Sequence, residues 1–156
     1  MSTFVLWVDG DSCPFEVRRI IERASRGRRV RTVVVADRIL PVVEHQFLDR
    51  IVVEPGPGAT DRYITEHVAR GDIVVTRDVG LTSACADRDA VVLDDRGVRY
   101  TADKAAERRS IHRFMSALRE RGLGTSGSLR LSKRPTADFA NALDRELSAR
   151  NSAHSG

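Results

Sequence analysis

The first 95 residues alternate between short apolar runs and amphipathic stretches. Residues 4–8 are all apolar, and turn residues and a proline follow them, which predicts a buried strand, a tight turn and a helix start. Later apolar runs, rich in β-branched residues, predict further strands at 30–36, 51–53, 72–76 and 90–93. The stretches between the runs predict helices over about 14–26, 41–48, 61–69 and 81–87.

Strands that alternate with helices require right-handed crossover connections and a sheet covered on both faces. The sequence therefore predicts an α/β fold, a three-layer α/β/α domain with a mainly parallel central sheet. Beyond residue 95 the pattern predicts a short strand at 96–101, a basic amphipathic helix at 103–121, a glycine- and serine-rich loop at 122–134 and a final helix. We interpret residues 1–150 as one domain, with a core at 1–95, a basic helical extension at 96–150 and a disordered tail at 151–156.

The composition is that of a small globular protein. At 156 residues, of which 41% are hydrophobic, the chain is long enough for one hydrophobic core. No apolar run approaches the roughly 18–20 residues of a membrane span, and the start has no signal-peptide pattern, so we expect no membrane association. Cys13 and Cys85 are too few for a disulfide framework, which favours the cytoplasm. The oligomeric state stays open, a homodimer included.

The net charge of +4 is unevenly distributed along the chain. Residues 1–95 carry 13 basic and 16 acidic side chains, whereas residues 96–134 carry 11 basic and 3 acidic ones. An acidic part suited to a metal ion is therefore followed by a basic part suited to a polyanion such as a nucleic acid. The candidate contacts to a nucleic-acid backbone are Arg108, Arg109, Arg113 and Arg130. The alternative is that these arginines only solvate a helix face.

Four aspartates come at strand ends or helix starts that a parallel sheet places along one rim. Asp9 and Asp11 follow the first strand, Asp61 opens the helix before the fourth strand, and Asp78 lies just beyond that strand. Ligands gather at this rim, and carboxylates held close together repel each other unless a cation or a proton intervenes. Oxygen ligands suit Mg²⁺ or Mn²⁺, which would orient a water molecule and offset charge on a phosphodiester. The pattern predicts a metal-dependent phosphodiesterase in which all four aspartates are metal ligands and catalytic residues.

Each aspartate also has a purely structural interpretation. Asp9 and Asp11 are residue types that favour turns, and Asp61 complements the dipole of a helix. Asp78 precedes a helix that its side chain would cap. A non-catalytic RNA-binding or protein-interaction module with an acidic rim is therefore an alternative to an enzyme.

A second alternative is a phosphatase of the haloacid-dehalogenase type, which also begins with an apolar strand and Asp-x-Asp. In that class the first aspartate is the nucleophile, and a lysine precedes the final acidic pair to neutralise the phosphoryl group. The only lysines of this chain, Lys104 and Lys133, come after every candidate aspartate. The order of these residues disfavours the phosphatase.

Five motifs, in order, resemble the uncharacterised bacterial YaiI/YqxD-like family. Asp-Gly-Asp-Ser-Cys-Pro at 9–14 is similar to its Asp-Ala-Asp-Ala-Cys-Pro signature, with Gly10 where alanine is usual. Residues 58–64, 71–81, 96–101 and 139–144 resemble its later motifs, so the resemblance covers about residues 4–149. That family is similar to PIN-like domains, whose characterised members are metal-dependent ribonucleases. The resemblance implies a PIN-like fold in which Asp9, Asp61 and Asp78 occupy the positions that hold Mg²⁺ or Mn²⁺.

Overall fold

The computed structural model describes residues 3–120 and 134–154. Strands and helices alternate through β5, as the sequence predicts, apart from one irregular connection between β2 and β3. The elements are β1 (Leu6–Asp9), α1 (Phe15–Arg28), β2 (Thr32–Ala36), β3 (Leu48–Val52), α2 (Ala59–His67), β4 (Ile73–Val75), α3 (Val79–Ala86), β5 (Val91–Leu93), β6 (Arg99–Tyr100), α4 (Ala102–Glu120) and α5 (Pro135–His154).

Within the described residues the strands form one sheet in the order β3-β2-β1-β4-β5-β6. Neighbouring strands are parallel, except that β5 and β6 are antiparallel. The chain runs outward from β1 to β3 and then returns to the other side of β1 as β4. The carboxyl ends of β1 and β4 therefore flank the point where the strand order reverses, which is where open α/β sheets bind ligands.

Two apolar layers cover the sheet, because successive side chains of a strand point to opposite faces. On one face the buried side chains come from the strands (Leu6, Val8, Val34, Ile73, Val75, Leu93), from α1 (Val17, Ile21) and from α5 (Phe139, Leu143, Leu147). On the other face they come from the strands (Trp7, Val33, Val35, Val74, Val92), from α2 (Ile64) and from α3 (Leu81, Cys85). These two layers confirm the predicted three-layer α/β fold with a mainly parallel sheet.

The two C-terminal helices differ in how they join this core. Helix α4 follows β6 and packs against α3, so it lies on the outside of one layer. Helix α5 contacts α1 and β5, and Phe139, Leu143 and Leu147 of α5 are almost completely buried. The helix predicted as part of a basic extension is therefore a component of the hydrophobic core. None of the described helices is long and apolar enough to cross a membrane.

The prediction of a helix at 41–48 is wrong. This segment is irregular, and His45 and Leu48 exchange backbone hydrogen bonds of 3.2 and 3.1 Å. Val42 is buried and the adjacent Val43 is exposed. Leu40 packs directly over Gly10, where an added Cβ would lie 2.5 Å from Leu40 Cδ1. The glycine that replaces the usual alanine therefore leaves room for Leu40.

Several predicted boundaries shift by a few residues. Helix α1 passes through Gly27 and ends where Arg29 takes a left-handed conformation with φ 56°. Helix α5 continues to His154, through residues that the sequence assigned to a disordered tail. The last two residues lie outside the described ranges, as does nearly all of the predicted loop at 122–134.

Candidate metal and catalytic site

One cavity of about 230 Å³ lies at the carboxyl ends of β1, β2 and β4, beside the start of α2. It is lined by Asp9, Asp11, Ser12, Asp37, Gly56, Gly58, Ala59, Thr60, Asp61 and Asp78. All four aspartates singled out in the sequence line this cavity, together with a fifth. Among the described lining residues there is no lysine, arginine or histidine, and of the nearby cations Arg62 partly offsets the charge of Asp61.

Asp9 ends β1 and is only 2% exposed. Its Oδ2 accepts hydrogen bonds from the hydroxyls of Ser12 at 2.8 Å and Thr76 at 2.7 Å, and its Oδ1 accepts one from the Asp11 amide at 3.2 Å. Burial raises the pKa of Asp9, while the bonds from Thr76 and Ser12 act in the opposite direction. The carboxylate is thus fixed in orientation but costly to keep charged.

The two hydroxyls that hold Asp9 also join the ends of β1 and β4. Thr76, just past β4, accepts a hydrogen bond from the Asp78 amide at 3.0 Å. Ser12 accepts one from the Arg77 amide at 3.0 Å. Each hydroxyl therefore donates to Asp9 and accepts from the chain beyond β4, which fixes the backbone at Asp78 relative to Asp9.

Asp11 connects three elements at the mouth of the cavity. Its Oδ2 accepts a 2.5 Å hydrogen bond from the hydroxyl of Thr60, in the first turn of α2. Its Oδ1 accepts a 3.2 Å hydrogen bond from the amide of Asp37, which follows β2. The loop after β1 is therefore tied both to β2 and to α2.

Asp61 lies in the first turn of α2 and is partly buried. Its pKa is raised from 3.8 to about 6, chiefly by burial and then by the negative charges of Asp78, Asp9 and Asp11. A raised pKa at a helix N-terminus is informative, because the helix dipole alone would favour the charged carboxylate. Burial, together with the negative charges of the neighbouring aspartates, outweighs that dipole.

Asp78 caps α3, and this structural interpretation is confirmed. Its Oδ1 accepts a 2.7 Å hydrogen bond from the Leu81 amide. The side chain is otherwise exposed and lines the cavity. Capping uses one carboxylate oxygen, and a carboxylate has a second oxygen with which to bind a ligand.

Asp37 is the lining residue that the sequence analysis missed. It directly follows the strand Thr32–Ala36, just as Asp9 ends β1 and Asp78 follows β4. The rule that the carboxyl ends of parallel strands share one rim would have identified it. Five carboxylates, rather than four, therefore face this cavity.

The chemistry of these residues fits a hard divalent cation, because Mg²⁺ and Mn²⁺ prefer carboxylate oxygens. The geometry gives less support for a metal ion than the chemistry does. Among the described residues, no group of three or more His, Cys, Asp or Glu side chains is arranged to hold a metal ion. Hydroxyl and amide donors of the protein hold Asp9, Asp11 and Asp78 in their present positions. Metal binding at this cavity stays a prediction.

The basic candidates lie elsewhere. Arg113 is exposed on α4. Arg108 and Arg109 belong to the same helix, but their side chains lie outside the described part of the structure, and Arg130 lies outside it altogether. Nothing in the described residues tests whether these arginines contact nucleic acid.

Neither cysteine has the features of a nucleophile. Burial raises the pKa of Cys13, next to the cavity, to about 12, and it raises the pKa of Cys85 to the same value. Both are therefore protonated thiols at neutral pH, and both are free.

Comparison with known proteins identifies the family. The family model described as the uncharacterized YaiI/YqxD family matches residues 7–149. The chain belongs to this family. A UPF0178 protein of Myxococcus xanthus is 40% identical over 142 residues, covering 91% of this chain and 93% of that protein. A UPF0178 protein of Treponema pallidum is 39% identical, covering 90% of this chain and 80% of that protein.

A third relative, the UPF0178 protein of Syntrophobacter fumaroxidans, is 35% identical over 93% of this chain. All three matches therefore extend over at least 90% of this chain. No solved structure matches the chain.

Proposed function

We propose that this protein is a cytoplasmic, divalent-metal-dependent phosphodiesterase that cleaves RNA. The observation that carries the proposal is the cavity itself, where five aspartates lie at the strand-order reversal and none of the described lining residues is cationic. Such an excess of negative charge favours the binding of a cation. The PIN-like resemblance of the motifs at 9–14, 58–64 and 71–81 points to the same reaction.

In this proposal Asp9, Asp11, Asp61 and Asp78 would hold Mg²⁺ or Mn²⁺. A bound divalent ion would lower the pKa of a water molecule and offset charge on the phosphodiester. Asp9 contributes a carboxylate whose orientation is already set by Ser12 and Thr76. The site needs little reorganisation at this residue, which favours catalysis.

The two candidate side chains, Ser12 and Cys13, lack the features of a nucleophile, so the nucleophile in this proposal is water. The Ser12 hydroxyl donates to Asp9, and no histidine among the described lining residues stands ready to activate it. Cys13 is protonated at neutral pH because burial raises its pKa to about 12. Without a bound cation the pKa of Asp61 is raised to about 6, and a divalent ion in the cavity would lower it and favour the charged carboxylate.

The haloacid-dehalogenase alternative gains no support, because Lys104 lies exposed on α4 and no described lysine lines the cavity. The choice of RNA follows from the basic residues at 96–134 and from the resemblance. Of the four candidate arginines, exposed Arg113 is the one whose side chain the structure describes. In the proposal it contacts backbone phosphates, together with Arg108, Arg109 and Arg130.

A cleavage assay tests the proposal. The wild type and Asp9→Asn are incubated with a mixed RNA pool in the presence of Mn²⁺, and the products are sequenced. We expect cleavage by the wild type that needs Mn²⁺ and that the substitution abolishes. Tight RNA binding without cleavage, unchanged by Asp9→Asn, would instead support the non-catalytic binding module.

A further inference from the structure

We propose that Thr60 is a positioning residue, whose bond to Asp11 fixes the first turn of α2 so that Asp61 faces Asp9 and Asp78. This inference rests on the proposed function, because it concerns how the same cavity is assembled. Thr60 is 4% exposed, and its hydroxyl donates to Asp11 Oδ2 at 2.5 Å. The two residues are 49 positions apart in the chain.

The start of α2 lacks the usual local support. Its N-cap is Gly58, with φ 69°, and no side chain forms a capping hydrogen bond there. Serine, threonine or aspartate normally satisfies the first amides of a helix. Here Thr60 and Asp61 are both in the first turn, yet the Thr60 hydroxyl binds the loop after β1 instead. Tertiary contacts, rather than a local cap, must therefore place this turn.

The segment before α2 gives the turn limited guidance. Pro55-Gly56-Pro57-Gly58 alternates two prolines, which fix φ, with two glycines, which restrict the backbone least, and Gly58 directly precedes the helix. Local bonds bring Ala59 N to Gly56 O at 3.2 Å and Arg62 Nη1 to Pro57 O at 2.8 Å. These bonds shape the turn itself, whereas the Thr60 bond connects it across the cavity to β1.

Electrostatic repulsion makes such a connection necessary. Asp61 faces Asp9, Asp11 and Asp78, so the negative charges drive the first turn of α2 away from the strand ends. The Thr60 bond opposes that movement, and its acceptor Asp11 is itself anchored to β2 through the Asp37 amide at 3.2 Å. Removing the hydroxyl would leave the repulsion and remove the restraint.

Thr60→Val tests the inference, because valine keeps the shape of threonine and loses only the hydroxyl. Thr60→Ser keeps the hydroxyl and serves as the rescue variant. Thr32→Val is the matched control, because Thr32 is also buried. Its hydroxyl lies at the amino end of β2, where it donates to Val30 O and lies 2.9 Å from Ser25 Oγ. This control loses a buried hydroxyl far from the cavity.

The first measurement uses the metal-free protein and so does not depend on the proposed function. Residual dipolar couplings of the backbone amides at 59–63 report the orientation of the first turn of α2 by NMR. We expect Thr60→Val to change these couplings while those of β1 and β4 stay constant. Thr60→Ser and Thr32→Val should keep the wild-type values. Unchanged couplings in Thr60→Val would overturn the inference.

The second measurement is the Mn²⁺ dissociation constant, obtained by calorimetry. We expect Thr60→Val to weaken binding about tenfold, a typical loss when an outer partner of a metal site is removed. Thr60→Ser and Thr32→Val should stay within about twofold of the wild type. Equal Mn²⁺ affinity in Thr60→Val and wild type would overturn the positioning role. No Mn²⁺ binding by the wild type would contradict the proposed function, and the couplings would still decide the inference.

Discussion

A buried aspartate lies at each end of the parallel strands, which we call the carboxyl edge and the amino edge of the sheet, and the two residues have different surroundings. Asp9, at the carboxyl edge, is 2% exposed, and Asp72, at the amino edge, is 4% exposed. Asp72 accepts hydrogen bonds from Trp7 Nε1 at 2.9 Å and from the amides of Val5 at 2.9 Å and Ala69 at 2.8 Å. Asp9 accepts from two hydroxyls and one amide, and it shares a cavity with four further carboxylates.

The difference between the two lies in the donors rather than in burial. N–H groups can only donate, so the three bonds to Asp72 lock Val5, Trp7 and Ala69 around a fixed charge. Hydroxyls both donate and accept, so Ser12 and Thr76 link Asp9 to the chain beyond β4 and set its orientation at the wall of the cavity. We interpret Asp72 as a structural carboxylate and Asp9 as a functional one.

The largest effect that separates the two edges is expected in RNA cleavage. Asp9→Asn should lower the cleavage rate by about 1,000-fold or more, because it removes a residue that holds the ion. Asp72→Asn should leave the rate per folded molecule within about twofold. The rates are measured in Mn²⁺, with the folded fraction of each variant determined by circular dichroism. Equal losses in the two variants would show that the edges do not differ in function.

The stability of the two variants should show the opposite order. Asparagine at 72 would turn an N–H₂ group toward at least one N–H donor, so we expect the free energy of unfolding to fall by about 3 kcal/mol. Asp9→Asn removes a charge that burial disfavours, so its free energy of unfolding should stay within about 1 kcal/mol of the wild type. Urea unfolding in metal-free buffer measures both values. A larger loss in Asp9→Asn would contradict the assignment of roles.

The charge in the cavity predicts a pH dependence of stability. The pKa of Asp61 is raised from 3.8 to about 6, so the folded state binds its proton more tightly than the unfolded state. The stabilisation from this proton is complete below about pH 4 and is lost as the pH rises through 6. Asp61→Asn should therefore gain stability over the wild type between pH 4 and pH 7, by about 1 kcal/mol after solvent screening.

Urea unfolding at pH 4, 5, 6 and 7 without metal measures this gain. Asp87→Asn, at an exposed aspartate beyond α3, is the control and should show no comparable trend. If Asp61→Asn lost stability relative to the wild type as the pH rises, the cavity would not be electrostatically strained.

The smallest effect concerns the basic helix. Arg113→Gln, at an exposed position of α4, should weaken RNA binding a few-fold and lower the salt dependence of the binding constant by about one unit of slope. Arg26→Gln, exposed on α1 in the opposite layer, is the control and should change neither. Fluorescence anisotropy at about 50–200 mM salt measures both quantities. Identical slopes in the two variants would show that Arg113 of α4 does not contact RNA.

The apolar runs predicted the strands well, for a physical reason. A parallel strand covered on both faces must be apolar at every position, as Thr32–Ala36 and Ile73–Val75 are nearly throughout. Once the strands are predicted, the positions of their ends follow, so Asp9 and Asp78 could be predicted to lie at one rim from the sequence. Asp37 was missed although the same reasoning covers it.

Two other features could not be read from local sequence. The bond between Thr60 and Asp11 depends on how α2 closes onto the sheet, which no local pattern encodes. The segment at 41–48 has apolar residues that fit a helix, but β-branched Val42 and Val43 weaken that preference and Leu40 is instead drawn into the space over Gly10. Tertiary packing decided both.

Calorimetric titration of Mn²⁺ into the wild type, Asp9→Asn and Asp72→Asn tests the central claim most directly. We predict saturable binding by the wild type and by Asp72→Asn with equal affinity, and a loss in Asp9→Asn of more than about 100-fold, beyond what an outer partner contributes. Absence of binding by the wild type, or equal affinity in Asp9→Asn, would contradict the assignment of this carboxylate edge to a metal-dependent reaction.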